Sequence, residues 1–242
     1  MKNLIAVLAL LSAGYAAAAE VSGNVAYATD YRFRGISQTD RDMALQGGFD
    51  YDFGNGFYAG TWASNVQFGG SIEVDWYGGY AGEINEEVSF DVGYMWYNYP
   101  SDNSDPDLDY HEIYGSLSYM DGTVGLVYSN DYFQETDTFI YLYGEYSWAI
   151  NEDFALDFHL GWNSFDDDAA FAEFIIPAVG EDPGDDYIDY SITLSTSAAG
   201  LDFGLAFIGT DIDDKECFGG DDRNGKTELC DDTIVLSVSK SL

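Results

Sequence analysis

Phe154-Ala155-Leu156-Asp157-Phe158-His159-Leu160-Gly161-Trp162 reads as two interleaved rows. Phe154, Leu156, Phe158, Leu160 and Trp162 fall on one side of an extended chain, and Ala155, Asp157, His159 and Gly161 on the other. A side-chain period of two is that of a β-strand, and a carboxylate beside an imidazole marks the polar side as wet. Apolar-polar alternation over segments of about ten residues, separated by turn residues, is the sequence signature of a transmembrane β-barrel.

The pattern repeats in both directions from this segment. Alternation places strands near 21–35, 44–53, 57–66, 71–83, 87–98, 108–119, 123–130, 139–150, 154–164, 186–197, 201–210 and 232–242. That makes about twelve, and a merged or missed hairpin would make it ten or fourteen. Five links are of hairpin length: Gly54-Asn55-Gly56, Ile84-Asn85-Glu86, Met120-Asp121-Gly122, Asn151-Glu152-Asp153 and Ala198-Ala199-Gly200. Several carry residues that tolerate positive φ. The intervening links, 36–43, 99–106, 131–138, 165–185 and 211–231, are mostly longer and more acidic. The expected fold is all-β: an antiparallel transmembrane barrel with short periplasmic turns, long acidic outer loops and both termini in the periplasm.

Aromatic residues collect near the strand ends, as the two membrane interfaces favour. An outer girdle is expected from Phe33, Trp96, Tyr128, Phe139 and Trp162, and a periplasmic one from Phe53, Tyr80, Tyr119, Trp148 and Phe154.

Residues 1–19 read as a cleaved signal peptide, with Lys2 at the start, an apolar core over Leu4 to Leu11 and the small-residue site Ala17-Ala18-Ala19. That leaves 20–242 as a single domain in the outer membrane. No stretch approaches the roughly 20 apolar residues of a spanning helix. With Lys2 removed, seven basic residues stand against 44 acidic ones, a formal charge of −37. Such repulsion excludes nucleic acid and anionic lipid surfaces as natural partners. Disorder is excluded too, since 46% of residues are hydrophobic and 17% aromatic. Cys217 and Cys230 share one Gly- and Asp-rich connector, and in an exported chain they read as a disulfide. Zinc is the sharper alternative, but no further Cys and no His lies nearby.

Tyr31-Arg32-Phe33-Arg34-Gly35-Ile36-Ser37-Gln38-Thr39 resembles the opening of the TorF-type porins of proteobacteria. Trp62-Ala63-Ser64-Asn65-Val66 and Glu73-Val74-Asp75-Trp76-Tyr77-Gly78-Gly79-Tyr80 also look like that family. The resemblance implies an outer-membrane barrel with a channel role, no catalytic residues and no defined substrate. Leu242 departs from the aromatic last residue of many such barrels, which weakens the signal read by the barrel-assembly machinery.

Charged residues on the polar face are the candidate lumen lining. Alternation turns Glu73, Asp75, Tyr77, Asp91, Glu112, Glu145, Asp157, His159 and Asp189 inward, together with Arg32 and Arg34 on the first strand. A charge facing lipid at mid-membrane costs roughly 2–4 kcal/mol for Arg or Lys, so the lumen is the cheaper place. Carboxylates at a constriction lower the barrier for cations, while the two arginines supply a transverse field. The competing reading is that these charges pair and plug a narrow barrel, because twelve strands lie between the side-chain-filled and water-filled sizes. The inward rings of Tyr77, Tyr97, Tyr141 and Tyr143 either stack on a solute or narrow the bore.

The loop 166–185 carries Phe171, Phe174, Ile175, Ile176 and Val179 between acidic clusters and either folds into the mouth, caps the rim or meets a neighbouring subunit. Acidic clusters at 102–109, 166–168 and 211–214 lack the spacing of a calcium loop, so no metal and no cofactor is expected. Catalysis is not expected either: only His111 and His159 exist, without a G-x-S-x-G element. The expected partners are outer-membrane lipid and lipopolysaccharide, small hydrophilic solutes, the barrel-assembly machinery and, in one arrangement, further copies of the chain.

Overall fold

The computed structural model describes residues 19–166, 185–212, 217 and 226–242. Twelve strands close one antiparallel barrel. They are β1 (Glu20–Ala28), β4 (Ala44–Asp52), β5 (Phe57–Asn65), β6 (Ile72–Glu83), β7 (Val88–Asn98) and β8 (Tyr110–Tyr119). The circuit continues with β9 (Gly122–Ser129), β10 (Phe139–Ala149), β11 (Phe154–Phe165), β12 (Asp186–Ala198), β13 (Leu201–Thr210) and β14 (Thr233–Ser241). Each pairs with its sequence neighbour, and β1 pairs with β14, so no edge remains to be satisfied. The remaining strands, β2 (Arg32–Phe33) and β3 (Ile36–Ser37), form a separate two-stranded ribbon.

Local chemistry explains the short ends. Asn85 Oδ1 accepts from the backbone N–H of Glu87 and Val88, and Asn151 Oδ1 from those of Asp153 and Phe154. The same Asx turn thus reverses the chain twice. At the β12–β13 hairpin Ala199 (φ 56°) and Gly200 (φ 75°) both sit at positive φ, as a two-residue primed turn requires.

The alternation is borne out along the wall. Leu126, Leu142, Leu160, Ile192, Leu205 and Leu236 point outward at about half exposure, whereas Val127, Tyr141, Asn163, Asp189 and Val235 on the same strands are buried inside. An apolar belt of this extent around the whole circumference is a surface to be covered by lipid. Phe53, Tyr80, Tyr119, Trp148 and Phe154 stand exposed at the short-turn end, as expected of a girdle, and Tyr128 and Trp162 at the other.

Two members of the expected outer girdle belong elsewhere. Phe139 is fully buried, and its ring stacks on Tyr132 at 4.2 Å, while Phe33 packs on Tyr97 inside the barrel. The cause is the first long connection. The expected strand 21–35 stops at Ala28, and the chain turns inward instead of climbing on. The ribbon then lies in the outer half of the lumen. It is packed there in one buried cluster with Val66, Tyr97, Tyr99, Leu108, Tyr110, Tyr132, Phe139, Tyr141 and Tyr187.

Space for the ribbon comes from the small residues opposite. Ala28, Ala44, Ala206 and Val235 form one patch of inner wall, against which Tyr31 packs. Larger side chains there would collide with the inserted loop.

Candidate functional site

The lumen has two unlike walls. On one side, β13, β14 and β1 turn Gly204, Ala206, Ser237, Ser239, Ala26 and Asn24 inward, a smooth and mostly uncharged face. On the other, β5 to β12 carry the tyrosines and carboxylates. Glu73, Asp75, Tyr77, Asp91, Glu112, Glu145, Asp157, His159 and Asp189 share the inner side of their strands.

The tyrosines lie flat because the neighbouring strands leave room. A Cβ added at Gly60 would come within 2.5 Å of the Tyr77 ring, at Gly93 within 2.3 Å of the Tyr114 hydroxyl, and at Gly125 within 2.2 Å of Tyr143. Each ring therefore covers bare backbone on the adjacent strand. Their hydroxyls bind carboxylates: Tyr77 donates to Asp50, and Tyr58 to Asp91 at 2.7 Å.

In the outer half the ribbon brings the arginines among these groups. Arg34 Nη2 lies 2.8 Å from Glu112 on β8, and Nη1 donates to the Tyr132 hydroxyl at 3.2 Å. The guanidinium also stands 4.6 Å from the ring centres of Phe33, Phe139 and Tyr141, within cation–π range. Burial pushes the Tyr132 phenol up to about 12 against the opposing pull of Arg34, so it stays protonated and accepts from the guanidinium. Tyr187 donates to the Arg34 carbonyl at 3.1 Å, and Gly35 abuts Thr210 and Gly209 on the facing wall. The ribbon thus reaches across the lumen, touching β8 and β10 with one residue and β13 with the next.

Arg32 ties the ribbon at its base. Its Nε donates to Asp30 at 2.6 Å, and Nη1 donates to the carbonyls of Gly35, Leu229 and Asp231. Asp30 also accepts from Ser37 and Thr39. Both arginines line the lumen as expected, but from an inserted loop, because alternation cannot register where a strand leaves the wall. The loop 166–185, for which folding into the mouth is one of three readings, falls almost wholly outside the described residues; the segment seen inside the lumen comes from the run 29–41. Its sequence signal was available: Arg32 and Arg34 are two of only eight basic residues, set within a polar run beside Asp30.

Lower in the lumen, His159 Nε2 lies 2.7 Å from the Tyr141 hydroxyl and 3.0 Å from Asp189, with Nδ1 3.3 Å from Glu145. Asp157 accepts from Ser147 and Ser195. His111 faces outward and stacks on Tyr94. Among the described residues neither histidine hydrogen-bonds a serine, the pairing that serine hydrolysis would need. Cys217 and Cys230 are joined in a disulfide, which removes the zinc alternative.

Solved structures of like fold include porins. The NanC porin is 13% identical with a TM-score of 0.57 over 92% of this chain and all of that one. The KdgM porin, solved in complex with disordered oligogalacturonate, is 11% identical with a TM-score of 0.56 over 91% of this chain and 99% of that one. No curated protein matches in sequence. At such identities the likeness establishes the fold alone: a closed twelve-stranded antiparallel barrel of the porin kind. Residues 12–242 match the family described as "Bacterial protein of unknown function (Gcw_chp)", and the chain belongs to it.

Proposed function

We propose that this protein is a porin-like channel of the Gram-negative outer membrane, exported by the segment 1–19 and passing small hydrophilic solutes with a preference for cations. The observation that carries the reading is the excess of inward carboxylates over inward cations on a wall otherwise built to keep the bore clear. Glu73, Asp75, Asp91, Glu112, Glu145, Asp157 and Asp189 oppose Arg32 and Arg34, and each arginine is already paired with a carboxylate. Uncompensated negative charge in a narrow passage lowers the barrier for cations and raises it for anions. The solute of the KdgM complex, a polyanion, is for that reason a poor candidate here. The TorF-type resemblance in the first third of the chain agrees with a channel role.

Selection in this scheme takes place at the ribbon. The tyrosines held flat over glycines line the lumen below the ribbon. No catalytic role is proposed.

A second reading has one specific observation in its favour. The ribbon is packed deeply enough to act as a plug, leaving a non-conducting barrel that works through its acidic loops. Single-channel recording of the refolded protein in a planar bilayer separates the two: conductance steps are expected, with a reversal potential of cationic sign in a salt gradient. A silent bilayer from correctly folded protein supports the plug, and an anionic reversal potential removes the role given to the carboxylates.

A further inference from the structure

Asp75 is a buried carboxylate without a partner. It is 4% exposed, and among the described residues it makes no hydrogen bond and no ion pair; its Oδ1 is wholly enclosed. The other carboxylates around it are satisfied. Glu73, two residues earlier on the same face of β6, accepts from Tyr31 at 2.8 Å and from Tyr99 at 2.6 Å. Glu112 accepts from Tyr97 and is paired with Arg34. An isolated ionised carboxylate in such a place is strongly unfavourable, and it is relieved either by taking up a proton or by a positive charge beside it.

The surroundings are built for such a charge. Trp62 and Tyr97 are the cross-strand register partners of Asp75 on β5 and β7, and the Tyr31 ring stands edge-on to Trp62 at 5.4 Å. Two aromatic residues therefore flank Asp75 across the strands, with a third ring against Trp62, and aromatic rings attract cations. Tyr31, Tyr97 and Tyr99 each donate their one hydroxyl proton to Glu73 or Glu112, so their oxygen lone pairs remain available as ligands. Three carboxylates against one guanidinium leave the cluster with two formal negative charges.

We propose that Asp75 seats a single monovalent cation, an alkali metal or ammonium ion, between β5 and β7 beside the ribbon. A divalent ion is disfavoured: it wants several free carboxylate ligands, whereas the oxygens of Glu73 and Glu112 are already engaged. Among the described residues no group of three acidic, His or Cys side chains is arranged to hold a metal. One carboxylate with neutral phenol oxygens suits a singly charged ion. The site deepens the channel reading and rests on it only for the route by which the ion arrives.

The test is crystallographic, with rubidium as the probe. The full chain, crystallised from rubidium chloride, is expected to show an anomalous peak in coordination reach of the Asp75 carboxylate, lost in Asp75→Asn. No peak in wild-type crystals, or an unchanged peak in the variant, overturns the proposal. Should Asp75→Asn not assemble, wild-type stability serves instead. The urea midpoint should rise in rubidium chloride relative to N-methylglucamine chloride at equal ionic strength, because an ion bound only by the folded state stabilises it; equal midpoints overturn the site. A peak without conductance keeps the site and removes the channel, whereas cation-selective conductance without a peak does the reverse.

Discussion

Arg34 on the inserted ribbon and Glu112 on the barrel wall form an ion pair at 2.8 Å, with both side chains almost fully buried. The contact joins the inserted loop to a strand of the wall. Truncating Arg34 to Ala leaves the Glu112 charge without its cation. Breaking a buried pair in this way costs about 3–5 kcal/mol. Arg34→Ala is therefore expected to lower the urea midpoint of the refolded barrel and, by freeing the ribbon, to raise single-channel conductance. The double variant Arg34→Met with Glu112→Gln should recover much of the stability and keep the larger conductance.

The disulfide has a reach beyond its own loop. Arg32 donates to the carbonyls of Leu229 and Asp231, on either side of Cys230, and the Thr210 hydroxyl donates to the Cys230 carbonyl. Closing 13 residues of chain contributes roughly 3 kcal/mol in the chain-entropy model. Cys217→Ser with Cys230→Ser is expected to reduce stability by that order while leaving the barrel closed. The same variant, or added reductant, should loosen the ribbon and increase current noise; an unchanged trace would mean that the ribbon does not depend on this anchor.

The flat tyrosines offer a steric test. In Gly60→Ala the new Cβ meets the Tyr77 ring at 2.5 Å, so the ring must lift into the lumen and release Asp50. Overpacking of this kind costs about 1–3 kcal/mol. Conductance should fall in Gly60→Ala and in Gly125→Ala, while Gly144→Ala, where the nearest atom is at 3.9 Å, should behave as wild type.

Inside and outside can be told apart by charge. Leu126 points outward and Ser116 inward on neighbouring strands. Leu126→Arg is expected to cost about 2–4 kcal/mol of folding stability in lipid vesicles. Ser116→Arg should cost far less and shift the reversal potential toward anions. Equal costs would contradict the barrel's orientation of its faces.

Much of this architecture is legible along the chain. All twelve strands, and the inward face of each, follow from alternation, since a period of two admits only one assignment once a wall separates lipid from water. The hairpin ends are equally local, as the paired Asn85 and Asn151 turns show. Phe33 and Phe139 were misplaced for the complementary reason. Phe33 follows a strand that leaves the wall after Ala28, and Phe139 shares the parity of the inward Tyr141, Tyr143 and Glu145, which its place near a strand end had outweighed.

What the sequence determined by itself was a closed barrel with a carboxylate-rich inner face, because strand period, turn chemistry and the cost of charge in lipid all act over a few residues. The tertiary structure alone decided that the run 29–41 leaves the wall and crosses the lumen. That choice depends on Ala28, Ala44, Ala206 and Val235 making room, and on Glu112 and Tyr132 waiting for Arg34. Those residues meet only when the barrel closes, so no local pattern records their agreement.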